Sequence, residues 1–129
     1  MTTLLDASAL LAAINDEAGS ERVAQCLGDS AISAVNLAEV AAKLADFGWS
    51  DAEIEDTVAG LQIDILPFEA VDALVLVSPA TEQHPVVALE SLGDRACLVT
   101  ALRTGHAVLT ADKAWGRVKL AGVRIELAR

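Results

Sequence analysis

Four acidic side chains stand at positions where a sheet protein would do chemistry. Asp6 directly follows the apolar run Thr2–Leu5, and Asp112 follows Val108-Leu109-Thr110-Ala111. Glu39 lies within Val35-Asn36-Leu37-Ala38-Glu39-Val40, and Asp94 within Ser91-Leu92-Gly93-Asp94-Arg95. Each acid has an ordinary explanation. Asp6 and Asp112 suit helix N-caps. Asp94, three residues after Ser91, fits a variant capping box. Glu39 can pair with Lys43 one turn on, for about a few tenths of a kcal/mol. Leu37, Ala38, Val40 and Ala41 are nevertheless poor company for a solvated acid. Taken together, three or four carboxylates fall near one sheet edge. Two carboxylates about 4 Å apart repel by roughly 4 kcal/mol at an effective dielectric near 20, so such a cluster needs a cation. Hard oxygen donors without His or Cys favour Mg²⁺ or Mn²⁺ over zinc. The chemistry that suits the set is metal-assisted phosphodiester hydrolysis. A metal lowers the pKa of a bound water, and a second metal can stabilise the leaving oxygen.

The elements that must position these acids alternate. Apolar runs predict strands at Thr2–Leu5, Ala31–Ser33, Ile63–Phe68, Ala107–Thr110 and Val123–Leu127. Helices are predicted over Ala7–Ile14, Ser20–Leu27 after the Gly19 break, Val35–Phe47, Ser50 to about Gly60, Glu69–Val77, Ser91–Thr104 and Asp112–Val118. Leu37, Val40, Ala41 and Leu44 give the third of these its helical apolar spacing. Ser50 with Glu53 forms a capping box. Ser78–Val86, with Pro79 and Pro85, reads as a loop. Short apolar strands alternating with helices predict a parallel sheet covered on both faces. Ligands of such sheets bind at the carboxyl ends of the strands, where Asp6 and Asp112 fall.

Composition narrows the field. The chain has 129 residues, the size of one domain spanning 1–129. Apolar residues make up 53% and charged residues 22%, too apolar a mixture for disorder. No apolar stretch reaches 18 residues, and Met1–Asp6 has no basic residue ahead of its apolar run, so the expected location is the cytoplasm. Cys26 and Cys97 are then expected as reduced, buried thiols in helices. Nine Lys and Arg stand against 19 Asp and Glu, a net charge of −10. Bulk attraction for nucleic acid is excluded, so any such contact needs a local basic patch or a metal. Aromatics are scarce, which argues against a base-stacking platform, and Trp115 reads as a packing residue. His84 and His106 are isolated and have no metal-ligand spacing. A mean hydropathy of +0.45 suggests apolar surface kept for a partner.

Four segments, Leu5–Leu11, Ser33–Val40, Leu92–Leu98 and Val108–Trp115, occur in an order and spacing that resemble the PIN-domain ribonucleases. They are most similar to the VapC-like toxin component of bacterial type II toxin–antitoxin pairs, and together they span nearly the whole chain. The resemblance implies a PIN-like α/β/α sandwich with a short parallel β-sheet. It implies that Asp6, Glu39, Asp94 and Asp112 form an acidic Mg²⁺ or Mn²⁺ site that hydrolyses RNA. Ser8 and Thr110 match the polar residues that accompany the first and last acids. A homodimer and a small cognate antitoxin are implied as well, and the charge of −10 leads us to expect a basic segment on that antitoxin. Arg95 and Lys113, each following an acid, are candidates for RNA phosphate contacts or for neutralising their neighbours. The chain departs from the pattern at Glu82, Leu89 and Glu90, where relatives often carry Arg after a Thr and then Gly-Leu. That departure bears on the loop bordering the substrate groove.

Two other classes fit the length and acidity. A phospho-acceptor receiver domain wants paired acids after the first strand and an Asp closing a central one. This chain offers a single Asp6 and no acid at the end of Ile63–Phe68. A catalytically inactive binding module on the same α/β fold would not need an intact acidic quartet. Metal-dependent RNA cleavage separates both from a nuclease.

Overall fold

In the computed structural model, residues 2–77, 91–118 and 122–129 are described. The loop predicted over Ser78–Val86, with His84 and the departures at Glu82, Leu89 and Glu90, lies outside them.

Five short strands form one parallel sheet: β1 (Thr3–Leu5), β2 (Ser30–Ser33), β3 (Asp64–Leu66), β4 (Ala107–Thr110) and β5 (Ile125–Leu127), in the order β3-β2-β1-β4-β5. Parallel neighbours require crossovers, and helices supply them: α1 (Ala7–Ile14), α2 (Ser20–Ala24), α3 (Ala34–Asp46), α4 (Asp51–Leu61), α5 (Ala70–Val77) and α6 (Leu92–Thr104). The two-residue alternation of a strand sorts the core into two layers. Leu4, Ala31 and Val108 point to one face, against Cys97, Leu98, Ala101 and Trp115. Leu5, Ile32 and Leu109 point to the other, against Ala9, Leu10, Val23, Val40 and Leu44. Registers Leu4 with Ala31 and Val108, and Leu5 with Ile32 and Leu109, keep the two layers aligned across the central strands. The result is the expected α/β/α arrangement.

Several boundaries differ from the sequence reading, each for a local reason. The third strand shrinks to Asp64–Leu66, because Pro67 has no N–H to continue the ladder. β3 is also half-solvated rather than doubly covered: Asp64 and Ile65 are exposed, as befits an edge carrying a charge. The second helix ends at Ala24. Cys26 turns its backbone N–H and its thiol back to the Val23 carbonyl, and a 3-10 turn over Leu27–Asp29 leads into β2. Cys26 is therefore half-buried outside the helix, while Cys97 is fully buried as expected. The segment after Asp112 is a 3-10 helix, Lys113–Arg117, with Trp115 N–H bonded to the Asp112 carbonyl. The Ser50–Glu53 capping box forms in both directions. α5 and α6 are clamped by the buried Asp72, which accepts from Arg103 Nε at 2.9 Å. No helix among the described residues is long and apolar enough to cross a membrane.

Candidate functional site

The chain runs from β1 outward to β2 and β3, then returns to the far side of β1 for β4 and β5. The reversal leaves a crevice at the carboxyl ends of β1 and β4, where open parallel sheets bind ligands. Asp6 and Asp112 are carried there by the strand ends, Glu39 by the second turn of α3, and Asp94 by the first turn of α6. All four line one open hollow of about 370 Å³, together with Ser8 and Lys43.

Asp6 is the innermost acid, 3% exposed. Its Oδ1 accepts the Ala9 amide at 2.8 Å and the Ser8 hydroxyl at 2.7 Å, and its Oδ2 accepts the Thr110 hydroxyl at 2.5 Å. Thr110 Oγ1 in turn accepts the Asp112 amide at 3.1 Å, and Ser8 Oγ accepts the Ala111 amide at 3.0 Å. The two hydroxyls thus tie the end of β4 to the carboxylate that ends β1. Burial raises the Asp6 pKa, the three hydrogen bonds oppose it, and the charge of Asp94 adds to the rise. Asp94 is raised by burial, lowered by hydrogen bonding to Ser91, and raised again by Asp112. Glu39 is raised by burial, lowered by Asn36 and raised by Asp94. Beneath them, the Cys97 thiol is pushed well above its ordinary value by burial and then by Asp6, Asp94 and Glu39. The acids therefore share one electrostatic neighbourhood.

Glu39 does not pair with Lys43. Its Oε1 accepts from Asn36 Nδ2 at 2.9 Å, and the same amide group donates to the Gly93 carbonyl at 2.9 Å. Asn36 is held in turn by Ser33, the N-cap of α3. The Ser33 hydroxyl donates to Asn36 Oδ1 at 2.6 Å and accepts the Asn36 amide at 3.1 Å. A Cβ on Gly93 would fall inside the Glu39 carboxyl group, so α6 can approach α3 this closely only with glycine at that position. Asn36 and Gly93 were not singled out from sequence. Their signal was weak: Ser33, Asn36 and Glu39 stand three apart on one helical face, but the partner segment lies 57 residues away.

Arg95 and Lys113 follow two of the acids in sequence but stand off the hollow. Arg95 is half-buried and Lys113 exposed, and neither lines the hollow; Lys43 is its basic residue among the described residues. Trp115 is fully buried in the core. His106 is half-buried away from the acids.

A PIN domain family model matches residues 3–120. The chain belongs to the PIN domain family. PIN domains are in general nucleases, so at the coarse level this is a nuclease fold with its acids at the expected edge. The structure resembles "VapBC2 from Rickettsia felis bound to a DNA fragment from their promoter", with a TM-score of 0.73 and 17% identity, covering 98% of both chains. It also resembles "DNA bound VapBC from Salmonella typhimurium", with a TM-score of 0.68 and 19% identity, covering 100% of this chain and 99% of the other. PAE2754 from Pyrobaculum aerophilum matches with a TM-score of 0.52 and 23% identity, over 97% and 92% of the two chains. At these identities the likeness is one of fold. Among curated proteins none matches.

The donor set suits a hard divalent cation: carboxylates, with neither His nor Cys on the lining. Among the described residues, no three acids are already drawn together to hold an ion. Burial first, and neighbouring acid charge after it, raises the pKa values of Asp6, Glu39 and Asp94, and a cation there would favour their ionised forms.

Proposed function

We propose that this chain is a metal-dependent endoribonuclease and the toxin of a toxin–antitoxin pair. The observation that carries the reading is the convergence of four carboxylates, from four separate elements, on one hollow at the switch point of the sheet. Asp6, Glu39, Asp94 and Asp112 would hold Mg²⁺ or Mn²⁺, which supplies an activated water and charge neutralisation at the phosphate when bound. The residues of the chain do the positioning. Ser8 and Thr110 fix both oxygens of Asp6, and Asn36 fixes Glu39. Asp112 caps the following 3-10 turn through the Ala114 amide at 3.0 Å and so stays at the rim.

The partner reading rests on the surface. Phe47 is 67% exposed, Leu74 70% and Leu92 65%, and Leu92 borders the acid hollow in sequence. Exposed apolar side chains on a chain of net charge −10 suit a small antitoxin with an amphipathic segment and a basic end. The VapBC complexes that the fold resembles support a cognate antitoxin as partner, and a homodimer acting in the cytoplasm completes the proposal.

The test uses purified chain and total RNA. Cleavage is expected with Mg²⁺ or Mn²⁺, and is expected to vanish in EDTA and in Asp94→Asn. Undiminished cleavage in excess chelator refutes the metal site. Absence of cleavage by a folded, metal-loaded chain favours the binding-module alternative. Co-expression with the short neighbouring open reading frame should suppress toxicity and yield a co-purifying complex; failure of both removes the toxin assignment.

A further inference from the structure

We propose that Lys43 holds a backbone phosphate of the RNA beside the one that is cut, so that the strand passes over the outer face of α3. The inference rests on the nuclease reading above and adds a substrate contact to it. Lys43 lies one turn beyond Glu39 on α3, at the spacing that puts the two side chains on the same face. It lines the same hollow as the acids. It is exposed, and although Glu39 and Asp46 both stand within one turn of it, it makes no ion pair among the described residues. Glu39 is instead occupied by the Asn36 amide, with Gly93 packed against its carboxyl. A lysine left unpaired among carboxylates keeps three donors for an incoming anion.

The need for such a cation is physical. The proposed substrate is a polyanion and the chain carries a net charge of −10, so a strand approaching the acids meets overall repulsion. A bound metal neutralises the scissile phosphate, and the neighbouring phosphate then needs its own counter-charge. Asp46, three residues further along α3, also lines the hollow and sets the limit of the favourable path. Arg95 and Lys113 do not line the hollow, which leaves Lys43 to meet the strand there.

The experiment measures binding of a short fluorescent single-stranded RNA of mixed sequence, by anisotropy in Mg²⁺ across a salt series. Asp94→Asn is present in every protein so that nothing is cut. Adding Lys43→Ala is expected to weaken binding about ten-fold at low salt. It should also flatten the dependence of log K on log salt by roughly 0.7, the release expected for one single-strand phosphate contact. Lys43→Arg should restore both. An unchanged slope, with a lower Mg²⁺ concentration for half-maximal binding, would overturn the proposal, because Lys43 would then be neutralising the acids. If neither the Lys43-intact protein nor the unsubstituted chain binds any RNA, the nuclease reading falls with it. If that protein binds and Lys43→Ala binds identically, only the lysine assignment falls.

Discussion

Replacing Gly93 by alanine separates stability from activity. Gly93 is the second residue of α6, and a Cβ there lands inside the Glu39 carboxyl group. In a helix, Gly→Ala is worth about 0.5–1 kcal/mol through backbone entropy. Against that gain stands the Asn36–Glu39 hydrogen bond, which cannot survive if the carboxyl group moves. A hydrogen bond to a charged group is worth roughly 1.5–3 kcal/mol. Glu39 is only half-buried and can be solvated once displaced, so about 1 kcal/mol is the fairer loss after screening. The two effects nearly cancel, and the melting temperature should move by no more than about 4 °C. Activity has no such compensation. If Glu39 is a ligand as proposed, displacing its carboxylate by about 1 Å or more costs on the order of 100-fold in rate. The assay pairs thermal unfolding with initial rates of RNA cleavage in Mg²⁺. Parental rates with an unchanged melting temperature would show that Glu39 does not act from this position. A fall well beyond about 4 °C would show that the α3–α6 contact does not yield to the added methyl group.

Two further outcomes follow from the same site. Asp94 has its pKa raised by burial, so the folded chain holds protons that the unfolded chain has released. Stability of the metal-free protein therefore falls as pH rises from the ordinary carboxylate range through the raised one. In EDTA, Asp94→Asn should melt above the parent at neutral pH, with the gap closing on acidification; a lower melting temperature at every pH would make helix capping its main role. Asn36→Ala leaves the Gly93 carbonyl and the Ser33 hydroxyl without their partner and frees Glu39. A loss of about 2–3 kcal/mol in denaturant unfolding, with slower cleavage, is expected; unaltered stability would contradict the network.

What the sequence disclosed was local. Asp6 and Asp112 were legible because a strand end followed by an acid is a short-range pattern, and the α/β/α order followed from strands alternating with helices. The Ser50–Glu53 box was legible because both of its hydrogen bonds close within four residues. The Asn36–Glu39–Gly93 arrangement was not, because it exists only once α6 lies against α3. That Arg95 and Lys113 stand off the hollow was hidden for a related reason. Adjacency in sequence puts a side chain on a different face of a helix from its neighbour, whereas Lys43, four residues from Glu39, shares the face.

Cap and ligand, opposed readings in the sequence, are compatible in the geometry. Asp6 is the N-cap of α1, Asp112 caps the 3-10 turn, and Asp94 sits in a Ser-capped first turn. An ionised carboxylate offers about four acceptor sites. Asp6 uses three of them on Ala9, Ser8 and Thr110, and Asp112 spends one, through Oδ1, on the Ala114 amide. The cap bond aims the carboxylate along the strand end and leaves lone pairs turned into the hollow. A residue that ends a strand and starts a helix is thus oriented by its own backbone, and the carboxyl edge of a parallel sheet gathers several such residues at once. Capping is how this fold holds Asp6 and Asp112 at the edge of the hollow, and the acceptor sites those bonds leave free are the ones a cation would meet.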